Sequence, residues 1–448
     1  MTSALRPNSI PSATIQASQN GNRLNAPTLH TLSNGMTIIA EQLPVDAVNF
    51  NLWLNVGSIL ESDEINGMAH FLEHMIFKGT QNLKSGEFEA RIEARGAVTN
   101  AATSQDYTHY YITTAPQDFA DLAPLQLDVL LNPTIDADPF DRERHVVLEE
   151  IRRSDDNARR RNYQRLSNLG FQTLPYHRPV LGPTSVIETL KPSQMQAFHQ
   201  KWYHPSAITA VAVGNLPVDQ LIATVEKSLN QVGWSAPTAT VGAASRNGNR
   251  PRNFAPETVF TTIERRSYDD PTLQQARLML VWRVPGLVNL DETYALDIIA
   301  SLLSQGRTAR LVQDLRETQG LVSGVGASNM SHQYQGLFTL SANLPTENID
   351  RVERALLGHI KVLQNELVHP KELEKICTQV ANHFIFSNET PSDRANLYGY
   401  YHALMGDLEP AFSYVDRIRA ITPQDIQNAA QKYLPTDALG IMSVKPIE

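Results

Sequence analysis

The chain repeats itself. The strand-like stretch from Val48 ends in Trp53 and Gly57, and LMLVWRVPG ends in Trp282 and Gly286, at an offset of 229 residues. Further on, KPSQMQAFHQKWYHP carries Pro192, Lys201 and Trp202. TPQDIQNAAQKYLP carries Pro423, Lys432 and Tyr433 at an offset of 231. An apolar strand follows each time, Thr209–Val213 and Leu439–Val444. Two independent matches at nearly one spacing predict a duplicated domain, each copy burying its own core. Between the copies, residues 232–258 are rich in Ala, Ser, Thr, Gly, Asn and Pro and read as a linker. The expected organisation is a disordered tail over 1–28, a first domain over 29–231, the linker, and a second domain over 259–448.

Each copy mixes strands with helices. Val48, Phe50, Leu52, Leu54 and Val56 alternate with Asn49, Asn51 and Asn55, which predicts a half-buried strand. A helix is expected from about Asn66 and another from Ser85 to Gly96. Strands are expected near Val98–Thr103 and Tyr107–Thr114, and long helices near Gln117–Leu131 and Pro139–Arg160. This order gives an α+β fold of two duplicated domains, each a mostly antiparallel sheet packed with helices.

Composition narrows the function. The 448-residue chain has a formal net charge of −9, which argues against nucleic-acid binding and suits a basic peptide partner. No run is apolar for long enough to span a membrane. The single cysteine, Cys377, cannot close an internal disulfide and reads as a buried apolar side chain. The first thirty residues lack an apolar secretory core, so the expected location is the cytoplasm, with an organellar or exported location as the alternative.

The chemistry lies in GMAHFLEHMIFKGT, residues 67–80. His70 and His74 are four apart, so one helix face presents both to a single ion. Glu73 shares that region and can reach a metal-bound water without being a ligand. This H-x-x-E-H order is the inverted zincin signature. Phe71, Leu72, Met75, Ile76 and Phe77 surround it, so the helix is expected to be buried. A catalytic zinc takes a third protein ligand. DRERHVVLEEIRR offers Glu143 and Glu150, seven apart on one helical face. Either can ligate, with the other hydrogen-bonding a ligand histidine; spacing alone leaves the choice open.

With these residues in place, the chain resembles the pitrilysin family of zinc peptidases, and within it the bacterial relatives of the mitochondrial processing peptidase β subunit. The resemblance runs from about His30 to the C-terminus. It is carried by His70–Thr80, Asn100-Ala101-Ala102-Thr103-Ser104, and Glu143–Ile151. It implies one Zn2+ per chain on His70, His74 and Glu150, with Glu73 as general base and Glu143 bonded to a ligand histidine. It also implies a substrate-pairing edge strand at Asn100, Ala101 and Thr103. Phe77 is expected to line a substrate side-chain pocket, the alternative being plain core. Many relatives carry an Arg and a Tyr seven apart in the second half; here Arg316 is present, but Ser323 stands where the Tyr would be. The function implied is a zinc-dependent endopeptidase acting on peptides or unfolded segments. The missing Tyr suggests a related second subunit in a heterodimer, the alternative being a homodimer. The competing reading is a zinc-containing peptide-binding or scaffold subunit with no activity alone.

Overall fold

The computed structural model describes residues 13–14, 24, 26–234 and 254–447. The expected tail over 1–28 and linker over 232–258 fall largely outside them. The described strands are β1 (Ala13–Thr14), β2 (Thr28–Thr31), β3 (Thr37–Gln42), β4 (Val48–Leu54), β5 (Val98–Thr103), β6 (Thr108–Thr114) and β7 (Ile208–Gly214) in one half. The other half has β8 (Glu264–Asp269), β9 (Ala276–Pro285), β10 (Gly324–Ser331), β11 (Gln335–Leu344) and β12 (Gly440–Lys445).

They form two sheets of mostly antiparallel strands, ordered β1-β2-β3-β7-β4-β6-β5 and β10-β11-β9-β12-β8. The duplication is explicit in this wiring. β7 lies parallel to β3 and antiparallel to β4; β12 lies parallel to β8 and antiparallel to β9. In each half the late strand is thus inserted between two early ones. The helices before these strands, Pro192–Trp202 and Pro423–Tyr433, keep the 231-residue offset at both ends. Lys201 sits over Trp202 and Lys432 over Tyr433.

The chain divides into two compact units that interleave in sequence. The first comprises the described residues of Met1–Glu149, Val180–Arg252 and Ser387–Phe412; the second comprises those of Glu150–Pro179, Asn253–Phe386 and Ser413–Glu448. Each unit therefore takes a helix from the other's stretch of sequence. In the first unit that helix is Pro391–Met405. Arg394 and Tyr398 reach the buried Glu41 carboxylate, at 2.7 Å and 2.9 Å. Asn49 bonds Ser392, and Asn51 bonds Asn396 at 2.9 Å. β4 is consequently buried at every position, not on one face as its alternation predicts. Its Asn side is covered by the added helix, and the Asn49 and Asn51 amide nitrogens donate into a polar layer there, which a strand-local reading cannot see.

In the second unit the exchanged helix is Ala158–Gly170, where one helix was expected over Pro139–Arg160. The chain breaks at Asn157, whose side chain accepts from the Arg159 and Arg160 amides and caps the new helix. Arg161 grips the buried Asp270 carboxylate at 2.7 Å; burial pushes that group's pKa up, but hydrogen bonds from Thr272 and then Arg161 hold it down to about 2. Among the described residues no helix is long and apolar enough to cross a membrane. Cys377 is buried.

Candidate metal centre

The helix bearing the histidines, Met68–Ile76, starts from an unusual cap. Gly67 has φ 96°, and a Cβ there would meet the Leu181 carbonyl oxygen at 2.7 Å, so only glycine fits without strain. The exposed amides of the first turn are taken by one buried carboxylate. Gly67 N donates to Glu61 Oε2 at 2.8 Å and Ala69 N to Oε1 at 2.7 Å. Asn66 adds a third bond to the same group. The helix is otherwise embedded: Met68, Ala69, Phe71, Leu72 and Ile76 have no exposed surface, and Phe71 stacks on Phe140 at 4.5 Å.

Phe140 belongs to the long helix Ala137–Asp156, which carries Glu143 and Glu150. His70, His74 and Glu150 come together, each offering a ligand atom within 4.8 Å of the others. The imidazole rings of His70 and His74 stand 4.8 Å apart, inclined at 64°. Glu143, two turns before Glu150, is engaged differently. Its Oε1 lies 2.8 Å from His74 Nδ1 and its Oε2 lies 2.8 Å from Lys78 Nζ. Those two contacts lower its pKa against the upward push of burial, so it stays ionised. An ionised carboxylate at Nδ1 fixes the tautomer that leaves His74 Nε2 as the electron-pair donor.

Glu73 is half-buried and accepts a hydrogen bond from the Thr103 hydroxyl at the end of β5. Sequence reasoning placed Thr103 on the substrate-pairing edge but gave it no bond to Glu73. β5 is an edge strand, paired only with β6, and its Val98, Asn100 and Ala102 are exposed. The outward amide of Ala101 is occupied by its neighbour's Asn100 Oδ1 at 2.9 Å. Phe77, partly exposed, packs 5.6 Å from Phe88 and 6.0 Å from Tyr110. Arg316 lies in the second unit, on the helical turn Val312–Thr318, with its guanidinium on Glu317 at 2.7 Å. Ser323 donates to Gln275.

The remaining histidines are engaged elsewhere. His109 is buried, stacks on Trp53 at 4.2 Å and bonds Asn51. His145 is exposed. His177 contacts the Leu174 carbonyl and His204 contacts Ser206. Sequence reasoning missed Glu61 and Lys78. Lys78 had a signal, lying four residues after His74 on the same face. Glu61 had none, since Glu61, Asp63 and Glu64 crowd one loop.

Two imidazoles and a carboxylate, with a further carboxylate behind one imidazole, fit Zn2+ and leave a coordination position open. Comparisons with known proteins agree with that donor set. Residues 37–184 match the family model described as insulinase, peptidase family M16, and residues 189–380 match the M16 inactive domain. An uncharacterized zinc protease of Rickettsia felis is 26% identical over 90% of this chain and 93% of its own. The zinc protease PqqE of Helicobacter pylori is 26% identical over 93% of this chain and 92% of its own. The crystal structure of a protease from Helicobacter pylori superposes with a TM-score of 0.85 at 25% identity, covering 93% of this chain and 99% of that one. The chain belongs to the M16 family of peptidases, and zinc is the metal that membership implies.

Proposed function

We propose that this protein is a zinc-dependent endopeptidase that cleaves extended peptides or unfolded segments, with His70, His74 and Glu150 holding one ion and Glu73 as general base. The observation that carries the reading is the meeting of His70, His74 and Glu150 within 4.8 Å, with Glu143 on the far nitrogen of His74. A structural ion pair has no need of a second carboxylate holding the far nitrogen of one imidazole.

When bound, zinc would polarise the scissile carbonyl and lower the pKa of water toward ~7. The chain's own residues supply the rest. Glu143 keeps His74 in one tautomer and one orientation. Glu73 accepts the proton of the attacking water and later delivers it to the leaving amine. The Thr103 hydroxyl bonds one oxygen of that carboxylate and leaves the other to face the reacting water. Substrate pairs with β5 as an added strand, with Asn100, Ala101 and Thr103 along the contact. Pairing there requires the Asn100 side chain to release the Ala101 amide. Phe77 offers an aromatic wall to a side chain. Arg316 and a related second subunit supplying the contact missing at Ser323 complete the reading, as a heterodimer rather than a homodimer; cytoplasmic location is retained from the sequence.

The test is cleavage of unstructured peptides by the purified chain, with zinc quantified in the same sample. Glu73→Gln should keep about one zinc per chain while kcat falls by roughly 10²–10⁴-fold. Normal cleavage by that variant would remove Glu73 from the mechanism. Zinc without cleavage in the wild-type chain would favour the two-subunit form.

A further inference from the structure

We propose that Lys78 is a positioning residue for the metal centre: it holds one oxygen of Glu143 so that the other is aimed at His74 Nδ1. This rests on the zinc reading above and adds a residue to it. A glutamate reaches its partner through several rotatable bonds, and one hydrogen bond alone leaves the carboxylate free to swing. Glu143 is held at both oxygens instead. Oε1 lies 2.8 Å from His74 Nδ1 and Oε2 lies 2.8 Å from Lys78 Nζ. The backbone of Lys78 is fixed as well. Its amide donates to Met75 O at 3.0 Å, Gly79 O accepts from Thr134 N at 3.1 Å, and Thr80 bridges to Pro133. Thr134 lies three residues before the helix Ala137–Asp156, which carries Glu143 and Glu150. Lysine and glutamate therefore project from one stitched frame.

The second unit carries the same pair where the histidines are lost. At the 229-residue offset His70 and His74 fall on Ile299 and Leu303, both buried, while Glu143 falls on Glu372. Arg310, three residues past the counterpart of Lys78, takes both oxygens of Glu372, at 2.9 Å and 2.7 Å. A guanidinium fork occupies a carboxylate completely. An ammonium is a point charge that can hold one oxygen and leave the other for a second partner. The unit with histidines has the lysine, and the unit without them has the arginine.

Zinc affinity, measured by chelator competition on the full-length protein, separates positioning from charge. A cation close to a dication repels it, so charge alone predicts tighter zinc in Lys78→Met. Positioning predicts the opposite: zinc weaker by about tenfold, within the range for losing a group that orients a ligand. Lys78→Arg keeps the charge but draws both oxygens away from His74, and should weaken zinc too. In a Glu143→Ala background, Lys78→Met should change nothing further, because its effect passes through that carboxylate. Chemical denaturation of the zinc-free proteins shows that each variant is folded. Arg310→Met is the control, which should cost stability and leave zinc affinity unchanged. Unchanged or tighter zinc in Lys78→Met, full affinity in Lys78→Arg, a further loss in the Glu143→Ala background, or an equal loss in Arg310→Met overturns the proposal. A wild-type protein that binds no zinc would overturn the metal reading itself, and this proposal with it.

Discussion

Glu143 is bound at both oxygens, to His74 and to Lys78, and this fixes what its removal should do. Glu143→Ala leaves the three candidate ligands in place but frees the His74 ring to turn and change tautomer. Zinc affinity should fall by about 10–100-fold, measured by chelator competition, with the fold retained. Unchanged affinity would show that the carboxylate serves Lys78 alone. The residues of the centre were legible because ligand chemistry needs particular residue types at helical spacing. The choice between Glu143 and Glu150 was not legible from spacing, since two glutamates seven apart are interchangeable on a helix. In the structure His74 Nδ1 meets the earlier of the two. Glu61 stayed hidden for a different reason: a carboxylate capping a helix from six residues upstream leaves no periodic trace.

At the scale of elements, strand and helix identities followed from local pattern, and the failures came where a distant element supplied the environment. The Asn49 and Asn51 face looked solvent-exposed because its cover lies more than 340 residues away. The break at Asn157 was missed because the amphipathic pattern continues across it, although Asn is a favoured cap. The covering helix is fitted tightly. A Cβ on Gly399 would lie 2.2 Å from the Trp53 ring, and Trp53 is itself buried. Gly399→Ala should therefore destabilise the protein by about 1–3 kcal/mol. Gly358, in the helix Ile349–Asn365, has open space around its Cβ position. Gly358→Ala should stabilise by about 0.5–1 kcal/mol. Chemical denaturation of the pair measures both, and a stabilised Gly399→Ala would show that the helix does not sit on Trp53 as described.

Across the whole molecule, the two units should respond oppositely to mild acid. His109, His199 and His402 belong to the first unit, and burial drives each pKa down to about 4. A depressed histidine pKa means that the unfolded chain binds the proton more readily. Stability is therefore present above about pH 6.5 and lost as pH falls toward 4, by on the order of 1–2 kcal/mol per group at pH 5. Asp297 belongs to the second unit, where burial raises its pKa to about 6. Its contribution is present below 3.8 and lost as pH rises through 6. Lowering pH from 7.5 to 5 should weaken the first unit while slightly strengthening the second. Hydrogen exchange mapped by mass spectrometry at the two pH values, each normalised to the intrinsic exchange rate at that pH, would show this as a loss of protection confined to first-unit peptides. A uniform loss of protection in both units would contradict the assignment. Asp297→Asn should abolish the second unit's gain.

The interleaving of the two units also sets the order in which the protein can be completed as it leaves the ribosome. The first unit has its sheet and both histidines by residue 234, but the helix that covers Asn49 and Asn51 begins only at Pro391. At roughly 5–20 residues per second, the intervening stretch takes on the order of ten to thirty seconds to synthesise. Throughout that interval one face of the nascent sheet stands bare, its amide side chains turned to water where a wholly apolar face would invite association. Asn49 and Asn51 suit that face to water before the helix is made and to hydrogen bonds with Ser392 and Asn396 once it is in place.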